Sequence, residues 1–379
     1  MTSDSRGQSK KLALQETEAK AYKERIWKYY LRKNVVPIFF IVLCFFGGYY
    51  SGLSLPFLIN EIITRMARNS FLVISLIIPI LAGMGLNFGI VLGAMAGQFG
   101  YIATANFQMA GFSGFVVTTL ISIPLSILFG WLTGKLFNQA KGKEMITGII
   151  LGFFANGIYQ LICLYFMGNF IPIRIPTMLL STGIGLRNTL DIKSMHYALD
   201  NLWKIRINIP GLIFPIIIPV FTLLAVAVLC VAIHFLIKTK LGQEFRAVGQ
   251  NRHIAEVSGI KVDKIRVIAI IISTVLAGIG QVIFLQNLGN INTYGSHVQV
   301  GTFAVAAILI GGASVSKATI GQALLGTLLF HTLFIVSPLA GTNLIGDAMI
   351  GEYFRVFVTY GVIGLALALH AWQARQKRR

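Results

Sequence analysis

One short stretch has the residue types of a phosphate-binding loop. Residues 311–318 read GGASVSKA, so a lysine follows a run of small residues. A nucleotide-binding loop of this kind needs a glycine directly before the lysine and a hydroxyl directly after it, which serve the phosphates and Mg²⁺. Ser316 and Ala318 occupy those two positions here. The sequence therefore predicts no ATP site in this chain, and energy for active transport would come from another subunit or from an ion gradient.

The acidic residues argue against proton coupling. All thirteen aspartates and glutamates lie in loops or at the ends of apolar segments. Proton-driven carriers usually keep an acid in the middle of the membrane, because something must hold the proton. Glu144 and Asp263 begin apolar segments, where a carboxylate favours a helix N-terminus. Sodium coupling through carbonyls and hydroxyls stays open.

The histidines and cysteines predict neither catalysis nor a metal site. His253-Ile-Ala-Glu256 lacks the second histidine of a zinc motif. His234 and His331 are the histidines assigned to apolar segments, with no acid close in sequence, which is typical of packing residues. Three cysteines in apolar runs are an odd number of thiols, which argues against a disulfide framework. They are Cys44, Cys163 and Cys230.

Amide side chains are the polar groups that recur in the apolar segments. In a membrane span they normally face the interior, because exposure to lipid is costly. They could line a route for a small hydroxylated or zwitterionic solute, or only join helices by hydrogen bonds worth roughly 1 kcal/mol each. The candidates for lining are Asn87, Gln98, Asn106, Asn156, Gln160, Gln281 and Gln286. The glycine stripe Gly89, Gly93 and Gly97 is predicted to allow close helix packing instead.

The composition places these groups in a membrane protein. The chain has 379 residues, of which 55% are hydrophobic and only 12% are charged. Its mean hydropathy is +0.75, which is typical of a polytopic membrane protein. The net charge of +19 does not indicate nucleic-acid binding, because the basic residues flank apolar segments, as expected for residues that set membrane orientation.

The apolar runs predict an all-α polytopic membrane protein with about ten transmembrane segments, most of them near the length that spans a bilayer. They are 35–51, 71–86, 89–105, 111–134, 145–168, 212–237, 266–288, 302–313, 320–336 and 354–372. The segment 302–313 is short enough to be re-entrant. The pair 71–105 resembles the pair 302–336 in length and glycine content, which is typical of a transporter built from two related halves.

The remaining stretches divide the chain into regions. Residues 1–34 are predicted to form a basic cytoplasmic helix at the membrane interface, followed by a transmembrane domain over 35–374 and a basic tail at 375–379. Residues 56–69 carry charges and are expected to lie along the outer surface. The polar stretch 169–208 is the largest outer loop. Both termini fall on the cytoplasmic side.

One charged, amphipathic stretch lies between apolar segments in the second half of the chain, at residues 239–264. Phe245 and Val248, then Ile254 and Val257, repeat at helical spacing, which predicts two short helices. Gly249 is expected to break the first helix. Asn251 is predicted to cap the second, and Gly259 to end it. Such a surface could bind a soluble partner protein. The alternative interpretation is that residues 239–264 form an ordinary solvated loop.

This stretch resembles a known family. The pattern Gly242, Arg246-Ala247, Gly249, Asn251, Ala255 and Gly259-Ile260 is similar to the coupling-helix region of ABC-importer permeases of the branched-chain amino acid, ribose and nucleoside type. Two glycine-rich stretches agree less specifically: Gly311-Gly312 with Gly321 and Gly326, and Gly83–Asn87. The resemblance covers about Phe57 to Leu369.

The resemblance implies a permease subunit that catalyses nothing. Two permease subunits, identical or related, would form the pathway in a bacterial inner membrane. Cytoplasmic ATPase subunits, which hold the ATP and Mg²⁺, would grip the 239–264 helices, and an extracytoplasmic solute-binding protein would dock on the outer loops. No cofactor is expected in this chain. The residues expected to couple to the ATPase are Gly242, Phe245, Arg246, Ala247, Val248, Gly249, Asn251, Ile254, Ala255, Val257 and Gly259.

The solute and one alternative function stay open. The chain departs from the family pattern in its long basic N-terminus and at 314–317. Sugar, nucleoside and branched-chain amino acid are therefore all retained as solutes. The main alternative is an ion-coupled secondary transporter or a channel that acts without an ATPase. An intramembrane enzyme would need a catalytic constellation that the sequence does not offer.

Overall fold

The computed structural model describes residues 34–208 and 215–376. The helices, numbered in chain order, are α1 Val35–Ser51, α2 Leu55–Ser75, α3 Ile77–Leu81, α4 Ile90–Asn106, α5 Gly111–Gln139, α6 Glu144–Leu161, α7 Val220–Lys238, α8 Lys240–Gln250, α9 Arg252–Val257, α10 Val262–Leu288, α11 Ser296–Ile310, α12 Ile320–Ile345 and α13 Ala348–Gln376. A π-helical turn, Ile162–Phe166, extends α6. Apart from Asn34, the predicted N-terminal helix lies outside the described residues, as do residues 377–379 of the predicted tail.

Six helical stretches in the described part of the chain are long and apolar enough to cross a membrane. They are Leu55–Leu81, Gly111–Gln139, Glu144–Phe166, Val220–Lys238, Val262–Leu288 and Ile320–Ile345. Val35–Ser51 and Ser296–Ile310 are shorter apolar helices. The fold is therefore that of an all-α polytopic membrane protein, and these helices account for most of the segments predicted from the apolar runs.

Residues 56–69 do not form a segment separate from the predicted span 71–86. Leu55–Leu81 forms one 27-residue stretch, with a slight irregularity at Leu76 between α2 and α3. Its charged residues are accommodated by partners: Arg65 Nε lies 3.1 Å from the Glu61 carboxylate, one helical turn away. Arg68 donates to Asn287 on α10 across 2.9 Å. Pairing lowers the cost of placing charges in an otherwise apolar helix.

The bundle is organised around α10. This helix packs closely against α4, α5 and α2, while α12 packs against α1, α13 and α2, so that α2 joins the two groups. Close approach of α4 to α10 depends on the predicted glycine stripe, since a Cβ on Gly97 would lie 2.8 Å from the Gly278 carbonyl oxygen. More than half of the residues in the apolar stretches of α2–α3, α10 and α12 are buried. Most residues in the apolar stretches of α5, α6 and α7 are not buried.

The chain segments before α7 and after α10 form two small antiparallel sheets, which the all-helical prediction missed. Strand β1, Thr189–Asp191, pairs with β4, Asn290–Asn292, so that Leu190 lies opposite Ile291. Strand β2, Lys204–Ile207, pairs with β3, Ile216–Pro219. Strand β3 leads directly into α7, which begins at Val220 and not at residue 212. Residues 169–208 are thus a folded cap that is tied to α10 through β4.

The crossing of α11 and α12 requires a residue without a side chain. A Cβ on Gly326 would overlap the carbonyl oxygen of Ala307, and one on Gly311 would overlap that of Gln322. The two helix backbones therefore touch at these glycines, as in other membrane helix pairs. Gly321, one turn earlier on α12, faces open space.

Replacing Gly326 with alanine is expected to lower stability by about 1–3 kcal/mol, because the new methyl group forces the two backbones apart. The matched control is Gly321→Ala, which has room for the methyl group and should leave stability unchanged or slightly raised. Thermal unfolding midpoints of the two purified variants in one detergent provide the comparison. Equal midpoints would show that the contact is not as close as described.

Candidate functional site

The stretch 239–264 forms the two predicted helices, α8 and α9. The Thr239 side chain caps α8 by accepting from the backbone N–H of Gly242. The Asn251 side chain caps α9 by accepting from the N–H of Ile254 at 3.1 Å, as predicted. Gly259 adopts a φ of +83°, and the chain turns there as predicted. The local signals in the sequence therefore define both helix ends.

One face of α8 is buried inside the chain's own core. Phe245 is 1% exposed, and Val248 and Ala255 are also buried. They belong to a hydrophobic cluster with Ile78 of α3, Phe137 of α5 and Ile265 of α10. Gly242 lies where α7 turns into α8, against the backbone of Ile237. These residues fix α8 to three membrane helices.

Gly249 does not break α8, so that part of the prediction is wrong. It lies within the helix, and a Cβ there would overlap the carbonyl oxygen of Leu81 at the end of α3. The approach is mutual, because a Cβ on Gly83 would lie 2.7 Å from the Cα of Gly249. Two glycines thus allow α8 to rest directly on the backbone that follows α3.

The opposite face of the two helices is open. Ile254 is 62% exposed and Val257 is 76% exposed. Arg246 and Asn251 are exposed as well, and Ala247 is half-buried. Exposed branched apolar side chains beside basic residues provide an apolar contact with a polar rim, the usual composition of a protein interface.

Ion pairs hold α9 and α10 in place next to this surface. Arg252 at the start of α9 lies 2.8 Å from Asp263 at the start of α10. One turn further, Arg266 forms a buried ion pair with Glu144 at the start of α6. Removing one partner of a buried pair is strongly destabilising, because it leaves an uncompensated charge. This end of the bundle is therefore rigidly joined.

A histidine that the sequence analysis did not assign to a span joins two of the predicted amides. His297 is fully buried in the first turn of α11, which begins six residues before the predicted segment. Its Nδ1 bonds the Gln98 carboxamide oxygen, and its Nε2 lies 2.8 Å from the Asn156 carboxamide. Its ring also packs against Tyr159, with 4.7 Å between the ring centroids.

The hydrogen bonds of Gln98 determine which ring nitrogen of His297 carries a proton on that side. The Gln98 amide nitrogen donates to the Asn292 carbonyl oxygen, so its oxygen must accept from Nδ1–H. Nε2 faces the Asn156 carboxamide oxygen, and a neutral ring would require the Asn156 amide to turn over so that its nitrogen donates to Nε2. The cluster is a polar site between α4, α6 and α11 whose hydrogen-bonding members carry no carboxylate.

Three other predicted amides hold the structure together. Asn87 donates to Ser273 on α10. Asn106 donates to the Pro172 carbonyl oxygen and accepts from the Arg174 N–H, which fastens the folded cap to α4. The Gln286 oxygen accepts from the Leu199 N–H at 3.3 Å. These contacts use at least one end of each amide for bonding between segments.

The last two predicted amides are less engaged. Gln160 is half-buried on α6, one turn beyond Asn156. Gln281 is 0% exposed on α10, yet neither end of its amide has a hydrogen-bond partner within the described residues. A buried polar group in this condition costs about 1–3 kcal/mol. Gln281 therefore marks a place in the bundle interior where the hydrogen bonding of a buried amide is not satisfied by the described residues.

A polar network joins α2, α7 and α10 at the end of the bundle opposite α8 and α9. Asn287 of α10 accepts from Arg68 of α2 and donates to the Asp200 carboxylate, each across 2.9 Å. The hydroxyl of Thr222, at the start of α7, donates to the same carboxylate. Asp200, Asn287 and Thr222 are all buried. Sequence reasoning missed this network because its members lie on four separate segments.

Comparison with known proteins places the whole membrane region in one family. Residues 58–367 match the family model described as "Branched-chain amino acid transport system / permease component". This range agrees with the extent of the resemblance seen in the sequence. No solved structure matches the chain.

Curated relatives are similar over different parts of the chain. The autoinducer 2 import system permease protein LsrC of Photorhabdus laumondii is 25% identical over 87% of this chain and 81% of its own length. The fructose import permease protein FruG of Bifidobacterium longum is 24% identical, over 76% and 78%. The nucleoside ABC transporter permease protein NupC of Lactococcus lactis is 26% identical, over 49% and 56%.

Truncating Phe245 is expected to release α8 from the membrane helices. Phe245→Ala removes a fully buried ring, and such changes cost about 3–5 kcal/mol. Val257→Ala, on the exposed face, should cost less than about 0.5 kcal/mol. The measurement is the rate of trypsin cleavage after Arg246 in detergent. Equal rates in both variants would contradict the anchoring role of Phe245.

Proposed function

The chain belongs to the family of branched-chain amino acid transport system permease components, and on that premise we propose how this member works. Members of this family are permease components of ABC importers, and they are transport subunits that catalyse no reaction. The chain is accordingly a membrane permease of an ABC importer. The proposals that follow concern its partners, its orientation, its pathway and its solute.

The exposed face of α8 and α9 is proposed as the docking surface for cytoplasmic ATPase subunits, which carry the ATP and Mg²⁺. The observation that supports this most directly is the division of the two helices into a buried and an open face. Ile254 and Val257 would enter a groove on the ATPase, while Arg246 would set the orientation at the rim. Phe245 and Val248 would then act from the buried side, by passing the motion of α8 into the bundle.

The contacts of α8 suggest a path for that motion. A push on the docking face would reach α3 through Gly249 of α8 and α10 through Phe245 of α8. The stretch α2–α3 and the helix α10 are both long enough to cross the membrane. Helices that move as rigid bodies about a fixed solute site can open alternately to either side. ATP binding would thus rock α2–α3 and α10 against the rest of the bundle, with no chemistry in this chain.

The pathway is proposed to pass the polar cluster of His297, Gln98 and Asn156. Asn156 and Gln160 are half-buried on α6, a helix whose remaining surface is largely exposed, and His297 lies behind them. Uncharged amides with no carboxylate in the cluster suit a hydroxylated, uncharged solute, because a zwitterion would need charged partners of both signs when desolvated. A sugar or a nucleoside is therefore proposed ahead of a branched-chain amino acid, in keeping with the names of the fructose import and nucleoside transporter relatives.

The remaining subunits and the membrane orientation are also proposed. We place the protein in the bacterial cytoplasmic membrane, with α8, α9 and both termini in the cytoplasm and about ten segments entering the bilayer. A second permease subunit, identical or related, would pack on the exposed surfaces of the outer helices. An extracytoplasmic solute-binding protein would dock on the folded cap at 169–208.

The coupling proposal predicts separate effects at three positions. Ile254→Asp or Arg246→Glu should abolish uptake and co-purification of a stoichiometric ATPase from native membranes, because the docking face is lost. Gly249→Leu should abolish uptake by displacing α8 from α3. All three should insert normally and still bind the solute-binding protein. Gln243→Asp, exposed on the same helix, is the control and should behave as wild type.

Normal uptake by Arg246→Glu and Gly249→Leu would remove the coupling assignment. A chain that purifies without any ATPase, and whose uptake follows a sodium or proton gradient, would favour the alternative of a secondary transporter. Mass spectrometry of the purified complex and uptake with each gradient collapsed separate these two results.

The pathway proposal predicts an effect of Asn156 on solute recognition alone. Asn156→Leu should raise the solute concentration for half-maximal uptake by about tenfold, because one polar contact with the solute is lost. Co-purification of the ATPase should not change. Phe153→Leu, on the exposed side of the same helix, is the control. Uptake of labelled sugars and nucleosides measures the effect, and an unchanged value for Asn156→Leu would leave this amide a purely structural role.

A further inference from the structure

We propose that a cleft between α5 and α10 binds the headgroup of an anionic phospholipid. The cleft has a volume of about 1030 Å³ and opens to the surface. It is lined by Trp131, Lys135 and Asn138 of α5, by Lys141 of the following turn, and by Asp263 and Lys264 of α10. None of these residues belongs to the docking face or to the proposed pathway.

The charges in the cleft favour a phosphate group. Three lysine side chains reach it, and all three are exposed. Its single carboxylate, Asp263, is already paired with Arg252 at 2.8 Å, so the cleft carries an excess of positive charge. Lysine binds phosphate as a compact charge with three donors. A basic pocket between membrane helices is a recognised form of anionic headgroup site.

An apolar surface beside the cleft favours a ligand that has acyl chains as well as a phosphate. Trp131 is half-exposed, and the ammonium group of Lys135 lies 3.9 Å from the centre of its ring. Leu128 and Leu132, on the neighbouring turns of α5, are about half exposed and face outward from the bundle. Trp and Lys at the end of an apolar helix mark the membrane interface. A phosphate held by the lysines would thus lie above an apolar surface that acyl chains can cover.

A second copy of this chain does not suit the cleft. The chain has 32 basic residues and only thirteen acidic ones, so another copy offers little negative charge to match the lysines. A free phosphate would match the charge but would leave Leu128 and Leu132 without a partner. An anionic phospholipid satisfies both features. The cleft lies at the same end of the bundle as α9, which the proposed function places in the cytoplasm, so the lipid would belong to the inner leaflet.

The test compares two variants with the same loss of charge at the same end of the bundle. The cleft variant carries Lys135→Gln, Lys141→Gln and Lys264→Gln. The control variant carries Lys240→Gln, Lys261→Gln and Lys317→Gln, all at exposed lysines outside the cleft. Native mass spectrometry then follows the binding of palmitoyl-oleoyl phosphatidylglycerol, of the phosphatidylcholine with the same chains, and of soluble glycerol phosphate.

The wild-type chain and the control variant should bind phosphatidylglycerol in preference to phosphatidylcholine. The cleft variant should lose at least about tenfold in affinity for phosphatidylglycerol, given the attraction that each lysine supplies. Trp131→Ala should weaken binding as well without changing the charge. Equal binding by the cleft and control variants would overturn the proposal, as would equally tight binding of glycerol phosphate, which has no acyl chains.

The result does not depend on transport. A wild-type chain that captures the ATPase but binds phosphatidylglycerol no better than phosphatidylcholine would refute the lipid site and leave the proposed function standing. The leaflet is checked separately with Lys143→Cys, which a membrane-impermeant maleimide should label in inside-out vesicles and not in right-side-out vesicles. The reverse pattern would contradict the orientation under the proposed function, while the binding data would still report on the cleft.

Discussion

The contact of two backbones at Gly249 and Gly83 is the constraint on which the rest of the arrangement depends. A side chain at either position would overlap the backbone of the other segment. The helix α8 can therefore rest on the end of α3 and the turn after it only because both residues lack a side chain. Once α8 is there, Phe245 and Val248 fall into the cluster formed by α3, α5 and α10. A short polar helix, which would be marginal in isolation, becomes a fixed part of the membrane bundle. Its other face is then presented in a defined position, as docking by a partner requires.

The same helices are joined a second time at the opposite end of the bundle. Arg68 of α2 and Asn287 of α10 meet there, and Asp200 ties both to the start of α7 through Thr222. Because α7 runs directly into α8, the helices α2–α3, α7, α8 and α10 form a closed frame. Under the proposed function, a displacement of α8 would be shared by the other helices of this frame. This is how a push at one surface could alter the opening at the other.

Local signals and long-range contacts explain what the sequence could and could not predict. The apolar runs located most helices, and the caps at Asn251 and Gly259 were predictable because they depend on neighbours in the chain. The charges of 56–69 indicated a surface segment, since nothing nearby reveals that Arg68 has its partner 219 residues away. Phe245 and Ile254 have the same apolar pattern, yet one is buried and the other open, because only tertiary packing distinguishes them. His297 was missed because the polar residues around it hide the start of α11.

Several buried groups that lack partners among the described residues lie along the seam between α5 and α10. On α5, the hydroxyls of Ser122 and Ser126 face Gly278 of α10 and have no hydrogen-bond partner in the described part of the chain, and Gln281 lies one turn further along α10. Leaving several buried polar groups unsatisfied is costly in any single state. Such groups are tolerated when another arrangement of the same helices supplies their partners. Since α10 is one of the helices held by α8, a shift of α10 along α5 would bring these groups to new neighbours, and this seam is therefore where motion of the frame would be converted into a change of the interior.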